Sequence, residues 1–403
     1  MPWHLWGCMA IAFLIPFVKK FVPGFIVLLS VYVLVYAIKR KRIHVPKFNT
    51  PHVMLFGIFL LHLIGLLWSD HRDEGLNEIG IKLSYAVFPL IAWLMPPLRK
   101  TQTNSVLLSF LYGSLAFIPL AIGYGIYRSI IHHDIAWLTY QQLGIYLHPT
   151  YAATYMAFAL LILWKSEMNG EKPMRNTTFA YVSGIVILIF ISMLASKAGF
   201  IAALLVIGFG GYYTFRKRRV MRDVVLHVAA AILVLGISAA VSPGSITRVG
   251  AALDDLEEKN NVTNETTFVH VEAKSSTALR MVSWRAAGKI ILEQPIGAGT
   301  GDTQFAINEK YLEADEQYAA SKNLNAHNQF LQAGCEHGWL GMVMLISLMT
   351  IFFLYAIKIK NLLMIAFITL CGMNFLFESF LEVQAGIVFF CFMVMLFAKQ
   401  DQP

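Results

Sequence analysis

Charged residues are scarce in this chain of 403 residues. Asp, Glu, Lys and Arg make up 14% of it, whereas hydrophobic residues make up 57% and the mean hydropathy is +0.60. A soluble domain of this length does not need so much apolar surface, but a protein with many membrane-spanning helices does. The composition therefore argues against a soluble globular protein and predicts an all-α polytopic membrane protein.

Cysteine is also scarce, and its spacing carries no motif. Cys8, Cys335, Cys371 and Cys391 show no Cys-x-x-Cys pattern, and three of the four lie in apolar segments. This excludes an obvious disulfide framework or zinc site. The N-terminus, MPWHLWGCMA, lacks a basic region and a small-residue cleavage site, so we interpret it as a retained first helix rather than a signal peptide.

Apolar segments long enough to span a bilayer, or nearly so, recur along the chain. By the criterion of roughly 20 apolar residues there are about twelve of them. They cover residues 3–17, 21–38, 52–68, 79–95, 104–126, 148–164, 178–195, 198–215, 224–241, 339–357, 361–377 and 379–397. We therefore expect nine transmembrane helices within 1–241 and three within 339–403, followed by a cytoplasmic tail.

The net charge of +8 is explained by orientation in a membrane. In a soluble protein it would suggest nucleic acid, but here the basic clusters lie in short loops, and we expect no nucleic-acid partner. With both termini in the cytoplasm, nearly every cluster lies inside, and only Lys19-Lys20 is an exception. The inside clusters are Lys39 to Arg42, Arg99-Lys100, Lys165 to Arg175, Arg216 to Arg222, Lys358 to Lys360, and Lys399.

The longest polar segment, residues 242–338, then lies on the outer face together with 69–82, 128–151 and Ser196-Lys197. It predicts one long periplasmic loop of short amphipathic helices on the membrane surface. These helices are SITRVGAALDDLEE, TALRMVSWRAAGKIILEQ and TQFAINEKYLEA. Between the first two, KNNVTNETTF (259–268) has the composition of a flexible tip.

His327 is the strongest candidate for chemistry, because it stands where this polar segment gives way to an apolar one. A histidine near its ordinary pKa of about 6.5 acts as a general base at neutral pH. The alternative is an interfacial histidine satisfied by a backbone carbonyl. Two adjacent histidines, His132 and His133, followed by Asp134, could suggest a metal, but they would point apart on a helix, and we expect neither a metal nor a cofactor.

Four cations are candidates for binding an anion at the outer face. Arg280 shares a helix face with Trp284, and its planar fork suits a pyrophosphate; Arg285 follows it in the same stretch. Lys197 lies between two apolar segments, where a charge is costly. Lys82 opens the fourth apolar segment, and for it we favour snorkelling to the interface, which is also the alternative for Lys197. For Arg280 the alternative is an anchor to lipid headgroups.

Two further features have both a functional and a structural interpretation. Glu378 and Glu382 are four residues apart, so they would share a helix face, and one of them is expected to orient His327. The alternative is that these two acidic residues cap a turn. The run Pro295 to Gly301 is glycine-rich but lacks the spacing of a nucleotide-binding loop, so we interpret it as a sharp turn that offers backbone N–H groups to an anion.

The stretch HNQFLQAGCEHGWLG (327–341) resembles the His-Asn-x-x-Leu and Gly-x-x-Gly signature of the O-antigen ligase superfamily. The segment RMVSWRAAGKIILEQPIGAGTGDTQF (280–305) is similar to the pattern that precedes it in that family. LHPTYAATYMAF, which contains His148 and Tyr151, and SKAGFIAALL resemble further family stretches.

The resemblance implies a glycosyltransferase of the bacterial inner membrane that uses an undecaprenyl-pyrophosphate-linked glycan as donor and a lipid A-core sugar as acceptor. It implies that His327 is the base and Arg280 the pyrophosphate-binding arginine. Lys197 stands where the family has arginine, which keeps the charge but loses the fork. Glu378 looks like the family's acidic residue at the outer end of the penultimate span. We expect supporting roles for Asn328, Glu378, His148 and Tyr151, and donor binding by Arg280, Lys197, Arg285 and Lys82.

Within the superfamily, the sequence leaves three activities open: O-antigen ligase, O-antigen polymerase and protein O-oligosaccharyltransferase. It most resembles the ligase. A lipid-linked glycan transporter is the alternative from another class. Sparse intramembrane charge and the lack of paired broken helices argue against it.

Overall fold

Every regular element that the computed structural model describes is helical. It describes residues 3–17, 22–40, 51–145, 147–168, 177–218, 221–241 and 276–398. The helices are α1 (Trp3–Leu14), α2 (Val22–Arg40), α3 (Pro51–Gly65), α4 (Arg72–Lys82), α5 (Ser84–Leu94), α6 (Lys100–His132), α7 (Tyr140–Leu143), α8 (Pro149–Met168), α9 (Thr177–Met193), α10 (Lys197–Arg218), α11 (Met221–Val241), α12 (Ser276–Glu293), α13 (Thr303–Glu313), α14 (Gln317–Ser321), α15 (Gln329–Lys358), α16 (Leu362–Phe377) and α17 (Gln384–Ala398). The predicted all-α fold is confirmed over these ranges.

Four of the described helices are long and apolar enough to cross a membrane. They lie at Val22–Lys39, Lys100–His132, Lys197–Arg216 and Gln329–Lys358. Shorter apolar helices include α1, α3, α16 and α17. Each predicted apolar segment overlaps a helix, except that 79–95 is divided between α4 and α5. The helical apolar segments support a membrane protein, while the count of twelve spans stays a prediction.

The core lies around two helices that are buried on nearly all sides. Along α8, residues from Tyr151 to Leu163 are buried, and along α17 every residue from Gly386 to Phe397 is buried. A helix that is apolar all round belongs in the interior. By contrast, α2 exposes Leu28, which is 67% accessible, and Ile38, which is 68% accessible. Exposed apolar faces of this kind suit contact with lipid tails.

A second, smaller core connects α12, α13, α14 and the start of α15. Its fully buried side chains include Ala287, Ile307, Tyr311 and Cys335. Two predicted amphipathic helices, 277–294 and 303–314, thus correspond to α12 and α13, which pack on each other as well as on the bundle. The third predicted helix, 245–258, the tip 259–268 and the basic residues Lys19, Lys20 and Lys399 lie outside the described residues.

The glycine-rich turn hydrogen-bonds to the backbone of α15 where that helix is kinked. The sequence had suggested instead that the turn binds an anion. His337 and Gly338 leave helical geometry, and Gly338 has φ +62°. The backbone N–H groups of Ala298 and Gly299 donate to the carbonyls of Cys335 and Glu336, at 2.8 and 3.0 Å, while Pro295 accepts from Trp339 N–H at 3.1 Å. Because helix carbonyls take these N–H groups, we correct the expectation that they serve an anion.

Candidate functional site

His327 directly precedes Asn328, the N-cap of α15, and its backbone has left-handed geometry. Its φ is +44°, a region that non-glycine residues adopt uncommonly and histidine more often than most. Its backbone N–H donates to Asn325 Oδ1 at 3.0 Å, and Trp284 Nε1 donates to its carbonyl at 3.4 Å. These two contacts fix the backbone from either side, so the ring has a defined place.

Asn328 is the N-cap that starts α15 and also joins α15 to α16. Its Oδ1 accepts from the backbone N–H groups of Phe330 and Leu331 at 2.9 and 3.1 Å. Its Nδ2 donates to the carbonyl of Leu376 at 3.2 Å. Asparagine is among the best N-cap residues because its side chain satisfies these otherwise unpaired N–H groups. Asn328 therefore holds His327 beside the last turn of α16.

Glu378 lies in that junction and faces His327. It ends α16 in extended geometry, with φ −151° and ψ +141°. Its Oε1 lies 3.5 Å from His327 Nδ1, and the two side chains are 10% and 23% exposed. At this separation the contact is electrostatic rather than a well-formed hydrogen bond. A carboxylate at Nδ1 favours the tautomer in which Nε2 carries the lone pair.

Arg280 reaches the same carboxylate from α12. Its Nη2 lies 3.7 Å from Glu378 Oε2, and its Nε donates to the carbonyl of Phe377 at 3.0 Å. A cation at the C-terminus of a helix interacts favourably with the helix dipole and the last carbonyls. Arg280 and His327 therefore lie at the same end of the helix bundle, on opposite oxygens of one carboxylate.

The charges around Glu378 keep it ionised. Burial alone raises the pKa of this carboxyl, but the contact with His327 and the nearby His148 and Arg280 outweigh burial and hold the pKa below its ordinary value. At neutral pH the site therefore contains a carboxylate between an imidazole and a guanidinium.

Lys197 approaches the same helix as Arg280. It starts α10, where the Ser196 hydroxyl accepts from Gly199 N–H at 3.2 Å, and its Nζ donates to Thr277 Oγ1 at 3.1 Å. Thr277 and Arg280 are three residues apart on α12, so they share a face. Arg285, by contrast, is exposed and lies about 140° around α12 from Arg280, and it does not join this face.

His148 and Tyr151 lie near Glu378, at the start of α8. The Tyr151 ring stacks on Phe380 with centroids 4.7 Å apart, and its hydroxyl donates to the Ser379 carbonyl at 3.4 Å. The His148 ring meets Tyr151 edge-on at 6.2 Å. Tyr151 thus supports the turn that carries Glu378, while His148 is exposed close to the carboxylate.

Lys82 does not snorkel to an interface, as its position before an apolar segment had suggested. It is 1% exposed, and its Nζ lies 2.7 Å from Glu382 Oε2 and 3.9 Å from Glu336 Oε1. It also donates to the Leu381 carbonyl at 3.2 Å. Lys82 is therefore an interior ion-pair partner and is separate from the carboxylate at residue 378.

Glu378 and Glu382 do not share a helix face, so that expectation is also corrected. α16 ends at Phe377, Glu378 is extended, and Phe380–Glu382 form one 3-10 turn. Consequently Glu378 faces His327 while Glu382 faces Lys82 and accepts from Gln329 Nε2 at 2.8 Å. The two acids serve different clusters.

The residues at 132–134 have local structural partners. His132 stacks on Trp137 at 5.0 Å, His133 ends α6 in left-handed geometry with φ +51°, and Asp134 Oδ1 accepts from Ala136 N–H at 2.8 Å. Sequence reasoning missed a different group, namely His62, Glu336, His337 and Gln329, which join Lys82 and Glu382 in the interior. No spacing in the sequence links positions so far apart.

Comparison with known proteins bears on the same residues. Residues 182–346 match the model of a family described as O-antigen ligase. A comparison with curated proteins found no match. The matched range contains Lys197, Arg280, Arg285, His327 and Asn328.

Members of this family are glycosyltransferase-like enzymes, and the family points to lipid-linked glycan substrates in a membrane. The match over residues 182–346 confirms the resemblance to the O-antigen ligase superfamily that the sequence motifs predicted.

Proposed function

We propose that this protein is an O-antigen ligase. It moves a glycan from undecaprenyl pyrophosphate to a hydroxyl of a lipid A-core sugar, at the periplasmic leaflet of the bacterial inner membrane. The observation that carries the proposal is the arrangement of His327 and Arg280 on the two oxygens of Glu378, at 3.5 and 3.7 Å. The family match over the region that contains both basic residues supports it.

In this proposal His327 is the general base. Glu378 at Nδ1 leaves Nε2 as the basic nitrogen. Nε2 takes the proton of the acceptor hydroxyl as its oxygen attacks the anomeric carbon. The carboxylate of Glu378 stabilises the imidazolium that forms. A positioned base of this kind contributes about 10²–10⁴-fold in rate.

Arg280 and Lys197 bind the donor pyrophosphate in this proposal. The bond from the anomeric carbon to the pyrophosphate oxygen breaks as the new glycosidic bond forms, so negative charge grows on the phosphates. Arg280, on α12, and Lys197, which contacts the same face of α12 from α10, stabilise that charge. Because the lipid pyrophosphate is a good leaving group, one displacement with inversion suffices, and no metal ion takes part.

The same arrangement fits two other members of the superfamily, and the acceptor separates them. An O-antigen polymerase extends the glycan on its lipid carrier, whereas a protein O-oligosaccharyltransferase uses a protein hydroxyl. A transporter of lipid-linked glycan requires no base, so the paired His327 and Glu378 favour an enzyme.

The test is transfer by the purified protein in liposomes that contain lipid-pyrophosphate glycan. Each reaction offers one acceptor: lipid A-core, a second lipid-linked glycan, or a pilin-like protein. The ligase proposal predicts product with lipid A-core alone, together with release of undecaprenyl pyrophosphate. Elongated lipid-linked glycan would identify a polymerase, glycosylated protein an oligosaccharyltransferase, and movement of donor without transfer a transporter.

A further inference from the structure

A second cluster of ionisable side chains lies in the interior, where α3 and α4 meet the kink of α15. It contains Lys82, Glu336 and Glu382, joined by Glu78 from α4 and by His62 and His337. Lys82, Glu336, His62 and His337 are each 3% exposed or less. The mechanism proposed above uses none of them, so their chemistry needs a separate account.

The carboxyl groups of this cluster outnumber the permanent cations that contact them. Three carboxylates, of Glu78, Glu336 and Glu382, have donor oxygens within 4.8 Å of one another. Lys82 is the one cation with a permanent charge that contacts them among the described residues. Carboxyl groups this close to one another in the interior do not all ionise unless enough positive charge lies beside them. A divalent cation would supply such charge where protons otherwise have to.

His62 is oriented as a metal ligand. Its Nδ1 donates to the Ile58 carbonyl at 2.8 Å, which leaves the lone pair on Nε2 of the neutral ring. That nitrogen lies 3.3 Å from Glu336 Oε2. Two acceptors repel each other at this separation unless a proton or a cation lies between them. A ring whose second nitrogen is tied to a backbone carbonyl is the usual arrangement of a histidine ligand.

His337 supplies an unsatisfied partner. Neither of its ring nitrogens has a hydrogen bond among the described residues, although the side chain is 3% exposed. Its Nε2 lies 3.9 Å from the same Oε2 of Glu336, and its ring centroid lies 4.4 Å from that of His62. A buried imidazole without a hydrogen-bond partner is costly, so Nε2 beside Glu336 is available to a ligand that the protein does not itself provide.

One ligand spacing matches that of a small ion, while the 3.9 Å from His337 Nε2 to Glu336 Oε2 has to shorten when the ion binds. Ligands of a tetrahedral zinc ion at about 2.0–2.1 Å lie about 3.4 Å apart, close to the 3.3 Å between His62 Nε2 and Glu336 Oε2. The cavity that these residues line, with Lys82 and Gln329, has a volume of about 20 Å³, which is room for about one water molecule. Lys82 lies near the other oxygen of Glu336, so it does not occupy this position.

We propose that His62, Glu336 and His337 bind one divalent transition-metal cation at the kink of α15. Two imidazoles and a carboxylate are a donor set that Zn²⁺ and its neighbours favour, with a water as fourth ligand. The ion holds α3 against the kinked helix and takes no part in glycan transfer. This cation departs from the sequence-based expectation of no metal, because the ligands come from two distant helices.

The test measures metal content in the full-length protein, purified without a polyhistidine tag and stripped with a chelator. After incubation with ZnCl₂ and removal of excess, elemental analysis is expected to give about one zinc per chain, with a higher midpoint of thermal unfolding. His337→Gln and Glu336→Gln are expected to lose the bound zinc and the zinc-induced shift. His52→Gln, which removes another buried histidine from α3, is expected to keep both.

The wild-type result decides the proposal even where a variant fails to fold. Wild-type protein that binds no zinc and shows no shift would overturn it, since protons would then neutralise the cluster. Zinc retained by folded His337→Gln and Glu336→Gln would also overturn it, because the ion would lie elsewhere. Neither measurement depends on transferase activity, so failure here is distinct from failure of the proposed reaction.

Discussion

Nδ1 of His327 lies 3.5 Å from Oε1 of Glu378, although 51 positions separate the two residues. The contact exists because Asn328 caps α15 and at the same time holds the end of α16, so that the residue before one helix meets the residue after the other. Arg280 completes the arrangement by binding both the last carbonyl of α16 and the same carboxylate.

Glu378→Gln is expected to lower the rate of transfer with little change in donor KM, because the neutral amide no longer stabilises the imidazolium at His327.

The same variant also tests the pKa of the Glu378 carboxyl. The pKa of Glu378 is lower in the folded protein, so the carboxylate contributes stability above its ordinary pKa of about 4.3, and the contribution is lost as pH falls through the lower folded pKa.

The measurement for Glu378 compares thermal unfolding of wild type and Glu378→Gln between about pH 3 and pH 7. The difference in stability between wild type and Glu378→Gln should be constant near neutral pH and should shrink in acid. An advantage that grew in acid would mean that the folded pKa is raised, and the assignment of the surrounding charges would be wrong.

Arg280→Lys is expected to raise the donor KM at least about tenfold, because an ammonium keeps the charge but loses the fork that binds phosphate oxygens; a hydrogen bond to a charged group is worth about 1.5–3 kcal/mol. Initial rates against donor concentration measure this effect. Lys289→Ala removes an exposed cation from the same helix and is the matched control. Equal losses in both variants would indicate a general effect of surface charge.

Asn328→Ala is expected to cost about 1 kcal/mol of stability through loss of the N-cap and to lower kcat through displacement of His327. Asn361→Ala removes the N-cap of α16, whose side chain accepts from Met364 N–H at 3.1 Å. The two variants should lose similar stability in thermal unfolding. If Asn361→Ala lowered kcat as much as Asn328→Ala, displacement of His327 would not explain the lower kcat of Asn328→Ala.

Lys82→Met is expected to destabilise the protein by about 3–5 kcal/mol, because it leaves buried carboxylates without their cation. The double variant Lys82→Met with Glu382→Gln should recover part of this loss, since the contact at 2.7 Å joins these two side chains. Lys322→Met is the exposed control. The differences in stability are measured by unfolding in a mild detergent titrated with a denaturing one. If the losses of the two single substitutions simply added in the double variant, the pairing of Lys82 with Glu382 would be refuted.

Much of the fold and part of the site follow from local sequence patterns. Apolar runs predict helices because a helix satisfies its own backbone, and every predicted segment meets one. His327 and Arg280 were predicted from short motifs, and the structure brings both to Glu378.

The remaining features depend on contacts between distant segments. Lys82 meets a carboxylate 300 positions away, which no hydropathy pattern encodes. Glu378 and Glu382 point to different clusters because α16 ends between them and the chain turns, whereas the spacing of four assumed a continuous helix. The role of the glycine-rich turn depends on the break at Gly338, which the sequence shows only as one more glycine.

The most direct test of the account is the rate at which proteoliposomes release undecaprenyl pyrophosphate when lipid A-core is present. His327→Ala should remain folded and lose at least about 100-fold in this rate, because the variant lacks the imidazole that takes the acceptor proton in this account. His132→Ala, which removes an exposed histidine stacked on Trp137, should keep the wild-type rate. A wild-type rate in folded His327→Ala would contradict the account.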